Sequence, residues 1–386
     1  MTNRFANLFQ GFFDSEKVAG LLLIICTGIS LVVANSRIGE SYVEVIHHSL
    51  LTFPGSMSFE HVVNDGLMAI FFLLVGLEVE REIYVGELAD FKKALLPVVG
   101  AVGGICLPAF IHFIFNNGTE AQAGFAIPMA TDIAFALGVL ALAGNRVPVS
   151  AKIFLTALAI IDDIGAIIVI ALFYTKTIDL SFLIGALGIF AGLLILNKLR
   201  VQRLLFYLLP GVLMWYLFLK SGVHATVSGV LLAFAIPFNK IDSENVSLKL
   251  QHYLHKPVAF LIVPLFALVN TAIPIQSSII QNLISPNSLG IMFGLVAGKL
   301  VGIVSVPYLF VKIGLAAFQD GFTQKNLIGI GFLGGIGFTM SMFISNLAFN
   351  DPEMINSSKI AILTGSIIAA ILGLGLFLTN RKIPEG

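Results

Sequence analysis

An all-α protein made for a lipid bilayer is what this sequence predicts, and three observations predict it. Of its 386 residues, 57% are hydrophobic and only 11% charged, with a mean hydropathy of +0.97, too apolar for a soluble chain of this size. Cutting the chain at its polar, Gly and Pro breaks leaves about twelve apolar segments close to the ~20 residues a membrane helix needs. Lys and Arg gather on alternate connections, as they do on the cytoplasmic side of membrane proteins.

The expected spans are Lys17–Ala34, Phe59–Tyr84, Ala94–Phe115, Ala121–Leu142, Ser150–Tyr174 and Ser181–Leu199. Leu204–Leu219, Gly222–Pro237, Pro257–Ile273, Gly290–Ile313, Asn326–Phe349 and Ser358–Thr379 complete the set. With the N-terminus inside, only Arg37, Lys176, Lys220 and Lys359 fall outside, and Lys299 lies within a span; the rest of the 22 Lys and Arg are cytoplasmic. An even number of spans with both termini cytoplasmic follows, and residues 1–386 read as a single multi-pass membrane domain.

Ahead of the first span, Phe5, Leu8, Phe9, Phe12 and Phe13 recur at helical spacing. They suit a short interfacial segment over residues 1–16, and a frayed tail equally. No A-x-A-like cleavage site follows, which argues against a removed signal peptide. Glu44–Ser58 alternates apolar and polar positions around Pro54-Gly55, the pattern of an external hairpin or of an ordinary surface loop. The charge-dense Glu78–Lys93 reads as a solvated cytoplasmic loop.

Composition also excludes some classes of function. Lys+Arg and Asp+Glu each number 22, so there is neither a basic field for nucleic acid nor an acidic tail. Cys26 and Cys106 sit in apolar stretches as packing residues, without the spacing of a metal site or a disulfide.

Once the loops have taken their charges, Asp65, Asp132, Asp162, Asp163 and Lys299 remain inside spans. An ionisable group there is costly and marks a pathway, the alternative being a hydrogen bond that merely joins helices. Asp162, Asp163, Asp132 and Lys299 all fall near the middle of their segments, where they can share one plane. Adjacent residues on a helix point ~100° apart, so Asp162 and Asp163 cannot face one neighbour equally. Apolar surroundings favour a neutral carboxyl, and a nearby ammonium favours a charged one. Protons and a hard cation compete for the same oxygens, so one excludes the other. A single site open alternately to each side would then exchange them. Protein groups suffice for this, with no cofactor or nucleotide, and the G-x-x-x-x-G-K-[ST] phosphate loop is missing.

Two segments look broken at that depth. In IPMATDIAFALG, Pro128 disrupts backbone bonding just before Thr131 and Asp132, residues suited to cap a second half-helix. In GIGFLGGIGFTMS, Gly334, Gly335 and Gly337 loosen the backbone ahead of Thr339 and Ser341, although such glycines also serve close helix packing.

TDIAFALG, ALAIIDDIGAI, VAGKLVGI and GGIGFTMS, in that order and spacing, resemble the NhaA sodium/proton antiporters of bacterial inner membranes, from MTNRFANLF to the last span. The resemblance implies a twelve-helix fold of inverted-topology repeats, helices four and eleven being interrupted at mid-membrane. Interrupted helices in the two halves of a transporter mark its binding site, a rule drawn in part from this family. It implies that Asp162 and Asp163 carry the cation and protons, Asp163 foremost as ligand of Na+, that Lys299 pairs with Asp162, and that Thr131 lies beside the ion. Asp132 would balance the partial charges of facing half-helix ends. The expected activity is electrogenic exchange of Na+ or Li+ leaving for H+ entering, activated at alkaline pH and serving pH and sodium homeostasis. Glu78, Arg81, Glu82, Lys249, His252 and His255 match the family's pH-responsive charges. Gln251 departs from it, standing where a glutamate belongs, so a shifted pH profile is expected. His224 matches a position linked to pH response, though a lone His there is also a common hydrogen-bonded spacer. Glu44–Ser58 resembles the family's dimer-forming hairpin, which implies a homodimer among membrane lipids.

Three other readings are weighed against this one. A sodium-coupled symporter needs groups for an organic solute, and beyond Thr131, Thr339, Ser341 and a few others the central segments offer little. An intramembrane aspartyl protease would show G-x-G-D and draw its acids from different helices. A passive channel fits paired protonatable groups and Lys299 less well, and a leak stays open.

Overall fold

The computed structural model describes residues 2–51, 57–175, 178–239, 245–275, 281–318 and 321–380, and these are almost wholly helical. The side chains of residues 2–16, on which the interfacial reading rests, lie outside what is described. So do residues 52–56 in the expected hairpin, and Lys176, Lys240, Arg381 and Lys382. Among the described residues eight helices are long and apolar enough to cross a membrane, or up to ten if each of two bent pairs is one span. A helix is the form such runs must take, because it satisfies every backbone N–H and C=O within the segment where lipid offers no partner.

Contacts gather into two compact units interleaved along the chain. The first is Met1–Ile29, Phe91–Ala166 and Ile273–Gly386. Here helix Pro286–Phe293 passes through a π-helical turn, Gly294–Gly298, into Lys299–Lys312, which packs along Phe91–Asn116. A Cβ on Gly103 would lie 2.3 Å from the Gly302 carbonyl oxygen, and one on Gly302 2.1 Å from that of Gly103, so the two backbones touch where neither residue has a side chain. Gly302→Leu is expected to lower stability by about 3 kcal/mol, the upper end for overpacking a close-packed contact. Thermal unfolding of the purified protein in mild detergent measures it.

Both bent pairs also lie in this unit. Glu120–Met129, a 3₁₀ helix, meets Ile133–Leu142 at 48°, and Gln324–Leu333 meets Phe338–Ala348 at 44°. Pro128 cannot donate to the preceding turn, and Ala130 and Asp132 are extended, which ends the first half. Asp132 then caps the second, its carboxylate accepting from Phe135 N at 2.9 Å. At the other break, a Cβ on Gly335 would stand 2.2 Å from the Leu295 carbonyl oxygen, so only glycine lets the chain turn there.

The second unit is Ser30–Asp90 and Ile167–Ala272. Phe59–Val85 is one continuous span with a π-helical stretch at Val62–Leu67, and Val227–Ala235 packs on it. Leu73, Leu77, Tyr207, Met214, Phe218 and Ala233 form its core, Tyr207 donating its hydroxyl to the Val201 carbonyl.

Several elements differ from the sequence reading. Gly222–Pro237 is helical only over Val227–Ala235, because Gly222 turns the chain at φ +83 and Pro237 follows the end. Those 9 residues rise about 14 Å, too short to cross the hydrocarbon as one helix. Pro257–Ile273 is the second half of a longer helix, Val246–Asn270, which carries Pro257 because a π-helical turn, Val258–Ile262, takes up the lost hydrogen bond. Glu78, Glu80, Arg81 and Glu82 are helical, in line with the expected span Phe59–Tyr84 and against the loop reading of Glu78–Lys93, and Lys249, His252, His255 and Lys256 are helical too. In Glu44–Ser58, residues up to His47 close the helix Gly39–His47, and the antiparallel strands are Ser49–Leu51 and Met57–Ser58, Ser49 facing Ser58.

Candidate functional site

The first unit brings its intramembrane charges together. Asp162 and Asp163 lie midway along Val149–Phe173, 1% and 2% exposed, and Lys299, fully buried, opens the helix that follows the π-helical turn. Lys299 Nζ donates to Asp162 Oδ2 at 2.5 Å and to Thr131 Oγ1 at 3.0 Å. The Thr131 hydroxyl in turn donates to the Gly334 carbonyl at 2.8 Å, so one chain of hydrogen bonds ties the acid, the ammonium and both helix breaks. Asp162 Oδ1 is buried without a hydrogen-bond donor. Asp163, a step of ~100° round the helix, lies close enough to Lys299 to feel its charge.

Asp132 does something different. Besides Phe135 N, its carboxylate accepts from Thr339 N at 3.1 Å and Thr339 Oγ1 at 2.5 Å, and its own N–H donates to the Ile336 carbonyl at 2.7 Å. One carboxylate thus caps two helices, Ile133–Leu142 and Phe338–Ala348, and offsets the partial positive charge at both N-termini. Ser341 Oγ donates to the Ile127 carbonyl, a second tie between the two broken segments.

Taking an ammonium and a carboxylate out of water costs several kcal/mol per ion, and their attraction repays it only with good geometry and further hydrogen bonds. Lys299 has an acceptor in each of Asp162 and Thr131. Chemically the arrangement offers carboxylate, hydroxyl and backbone carbonyl oxygens to a small hard cation, with an internal cation already on one of the acids. No group of three or more His, Cys, Asp or Glu suited to a metal ion occurs among the described residues.

The other sequence-nominated residues belong to the second unit. Arg81 Nη2 pairs with Glu82 Oε1 at 2.7 Å, and Glu82 Oε2 accepts from Glu87 N. The helix carrying Lys249, His252 and His255 packs on the one carrying Glu78, and Gln251 hydrogen-bonds to Glu78 there. The His224 ring meets the Tyr174 carbonyl at 2.9 Å, as a hydrogen-bonded spacer would. Asp65 lends its backbone carbonyl to Trp215 Nε1.

Sequence reasoning missed three features. Glu80 is 5% exposed and accepts from Ser247 Oγ at 3.1 Å; a carboxylate inside the expected span Phe59–Tyr84 was the available signal. His112 is buried with Asn116 and Asn287, and Asn287 donates to Ser358; an ionisable residue inside the expected span Ala94–Phe115 was the available signal. The carbonyl acceptors at Gly334 and Ile336 have no side-chain signature at all.

Long apolar helices with acids buried halfway along one of them define a polytopic helical membrane protein with ionisable groups inside the protein body. The chain belongs to the Na+/H+ antiporter 1 family, whose model matches residues 10–377. It is 55% identical over 370 residues to a Na(+)/H(+) antiporter NhaA of Flavobacterium psychrophilum, covering 96% of this chain and 95% of that one. A Na(+)/H(+) antiporter NhaA of Dechloromonas aromatica is 56% identical over 374 residues, again 96% and 95%. A third, from Bordetella bronchiseptica, is 47% identical over 392, covering 99% and 98%.

Proposed function

We propose that this protein is a secondary active transporter, not an enzyme, that exports Na+ or Li+ in exchange for entering H+, with no cofactor. The observation that carries the reading is the buried Lys299 ammonium held between Asp162 and Thr131, where two broken helices meet. A hard cation entering on Asp163 and Asp162 competes with Lys299 and with protons for the same oxygens. Asp163 is the principal ion ligand. Asp162 couples occupancy to release of Lys299, Thr131 stands beside the ion, and Asp132 holds the half-helix ends neutral.

More protons enter than cations leave, so the exchange is electrogenic and draws on both the proton gradient and the membrane potential. In this reading the chain has twelve spans in inverted-topology repeats, with helices four and eleven interrupted at mid-membrane. It lies in a bacterial inner membrane with both termini cytoplasmic and forms a homodimer through the external hairpin. Alkaline activation, for pH and sodium homeostasis, is assigned to Glu78, Arg81, Glu82, Lys249, His252 and His255, with His224 as a further contributor. Gln251, in place of a glutamate, shifts the profile.

Proteoliposomes test this directly. Adding Na+ or Li+ outside vesicles with an imposed pH gradient is expected to collapse the gradient, increasingly so above neutral pH, and a set membrane potential is expected to change the rate. Sodium flux without proton counterflow would sink the proposal. Thr131→Val removes the hydroxyl that this reading places beside the ion, and a polar contact to a charged group is worth about 1.5–3 kcal/mol. Its half-saturating sodium concentration is expected to rise about tenfold, the lower end of that range.

A further inference from the structure

Away from the buried charges, the first unit has a cavity of about 600 Å³ where helices Phe91–Asn116 and Val149–Phe173 begin and the turn after Lys299–Lys312 passes by. Two exposed lysines, Lys92 and Lys93, line it in the first turn of one helix, and Ser150 in the first turn of the other. Ser150 Oγ is shielded from solvent and has no hydrogen-bond partner. First turns of helices carry N–H groups without intrahelical acceptors and attract anions. No carboxylate is among the described residues lining the cavity.

Its other wall is aromatic. Phe154 and Phe322 have ring centroids 5.1 Å apart, and Phe318 and Phe322 5.5 Å. A free anion has no use for such a surface, whereas an acyl chain does. Both helices that begin here are long and apolar enough to cross a membrane, so the cavity lies at the level where headgroups meet tails.

We propose that this cavity binds one anionic phospholipid, its phosphate on Lys92, Lys93 and the Ser150 hydroxyl and an acyl chain along Phe154, Phe322 and Phe318. The charge of the lining selects an anionic headgroup over a zwitterionic one. The site is independent of the ion-exchange reading and stands or falls separately.

The full chain, delipidated in mild detergent and mixed with equimolar dioleoyl phosphatidylglycerol and dioleoyl phosphatidylcholine, is examined by native mass spectrometry. One phosphatidylglycerol per chain is expected to be retained in preference to phosphatidylcholine. Lys92→Gln with Lys93→Gln is expected to cut that retention about thirtyfold, the scale of removing two basic groups from an anionic headgroup. Ser150→Ala should cut it about threefold. Lys92→Arg with Lys93→Arg keeps the charge and retains the lipid, which separates charge loss from damage to the fold. Equal retention of both lipids, or retention indifferent to the glutamine pair, overturns the proposal. Displacement of phosphatidylglycerol by millimolar inorganic phosphate overturns it too, since the cavity would then be an anion site without a lipid's tail.

Discussion

Asp163→Asn is expected to reduce sodium-driven proton movement in proteoliposomes to the leak of protein-free vesicles while leaving the protein folded. Asparagine matches aspartate in shape and satisfies hydrogen bonds in the same place, so the helix Val149–Phe173 keeps its packing. What it loses is the charge that holds a cation and the capacity to bind and release a proton, and exchange at one site needs both. The residue is 2% exposed, so water cannot stand in for the missing oxygen's charge. Unchanged thermal unfolding alongside lost exchange is the expected pair of results. Exchange at the wild-type rate would remove Asp163 from the mechanism.

The second large effect is on stability. Lys299→Ala leaves the Asp162 carboxylate buried beside a cavity with no countercharge, a defect worth about 3–5 kcal/mol. Replacing both partners, Asp162→Asn with Lys299→Met, removes the charges together and is expected to recover most of the loss, since a neutral pair of similar volume avoids the desolvation of two ions. Thermal unfolding of the single and double variants in detergent reads out both the loss and its recovery. A double variant as unstable as the single would locate the damage in packing rather than in the broken ion pair.

The intramembrane charges were legible because lipid makes each of them expensive, and an expensive residue has to be used. Asp132 shows how far that goes. Its position after Pro128 and before an apolar run announces a helix cap, but its second duty, to Thr339 of a segment 207 residues away, has no local signal. Glu78–Lys93 shows the opposite failure. Charge density argued for a loop where hydropathy had already extended a span to Tyr84, and the span is what forms: Glu78–Val85 continues the helix, Glu80 reaches Ser247, and Arg81 and Glu82 satisfy one another. Gly222–Pro237 was apolar enough for a span, yet its helix is only the 9 residues Val227–Ala235, because a left-handed glycine and a proline outweigh hydropathy at its two ends.

Hydropathy and the cost of a buried charge, both properties of single residues or short windows, were enough to determine a polytopic helical chain and to nominate Asp132, Asp162, Asp163 and Lys299. Their pairing was decided elsewhere. Adjacent aspartates must diverge by ~100°, but helical geometry is silent on which of them meets an ammonium 137 residues further on. The pairing goes with the close approach of Gly103 to Gly302, the π-helical turn just before Lys299, and the Gly334 carbonyl at one helix break, which holds the Thr131 hydroxyl from the other. Packing fixes such contacts because buried polar groups accept only the partners that neighbouring backbones bring within reach.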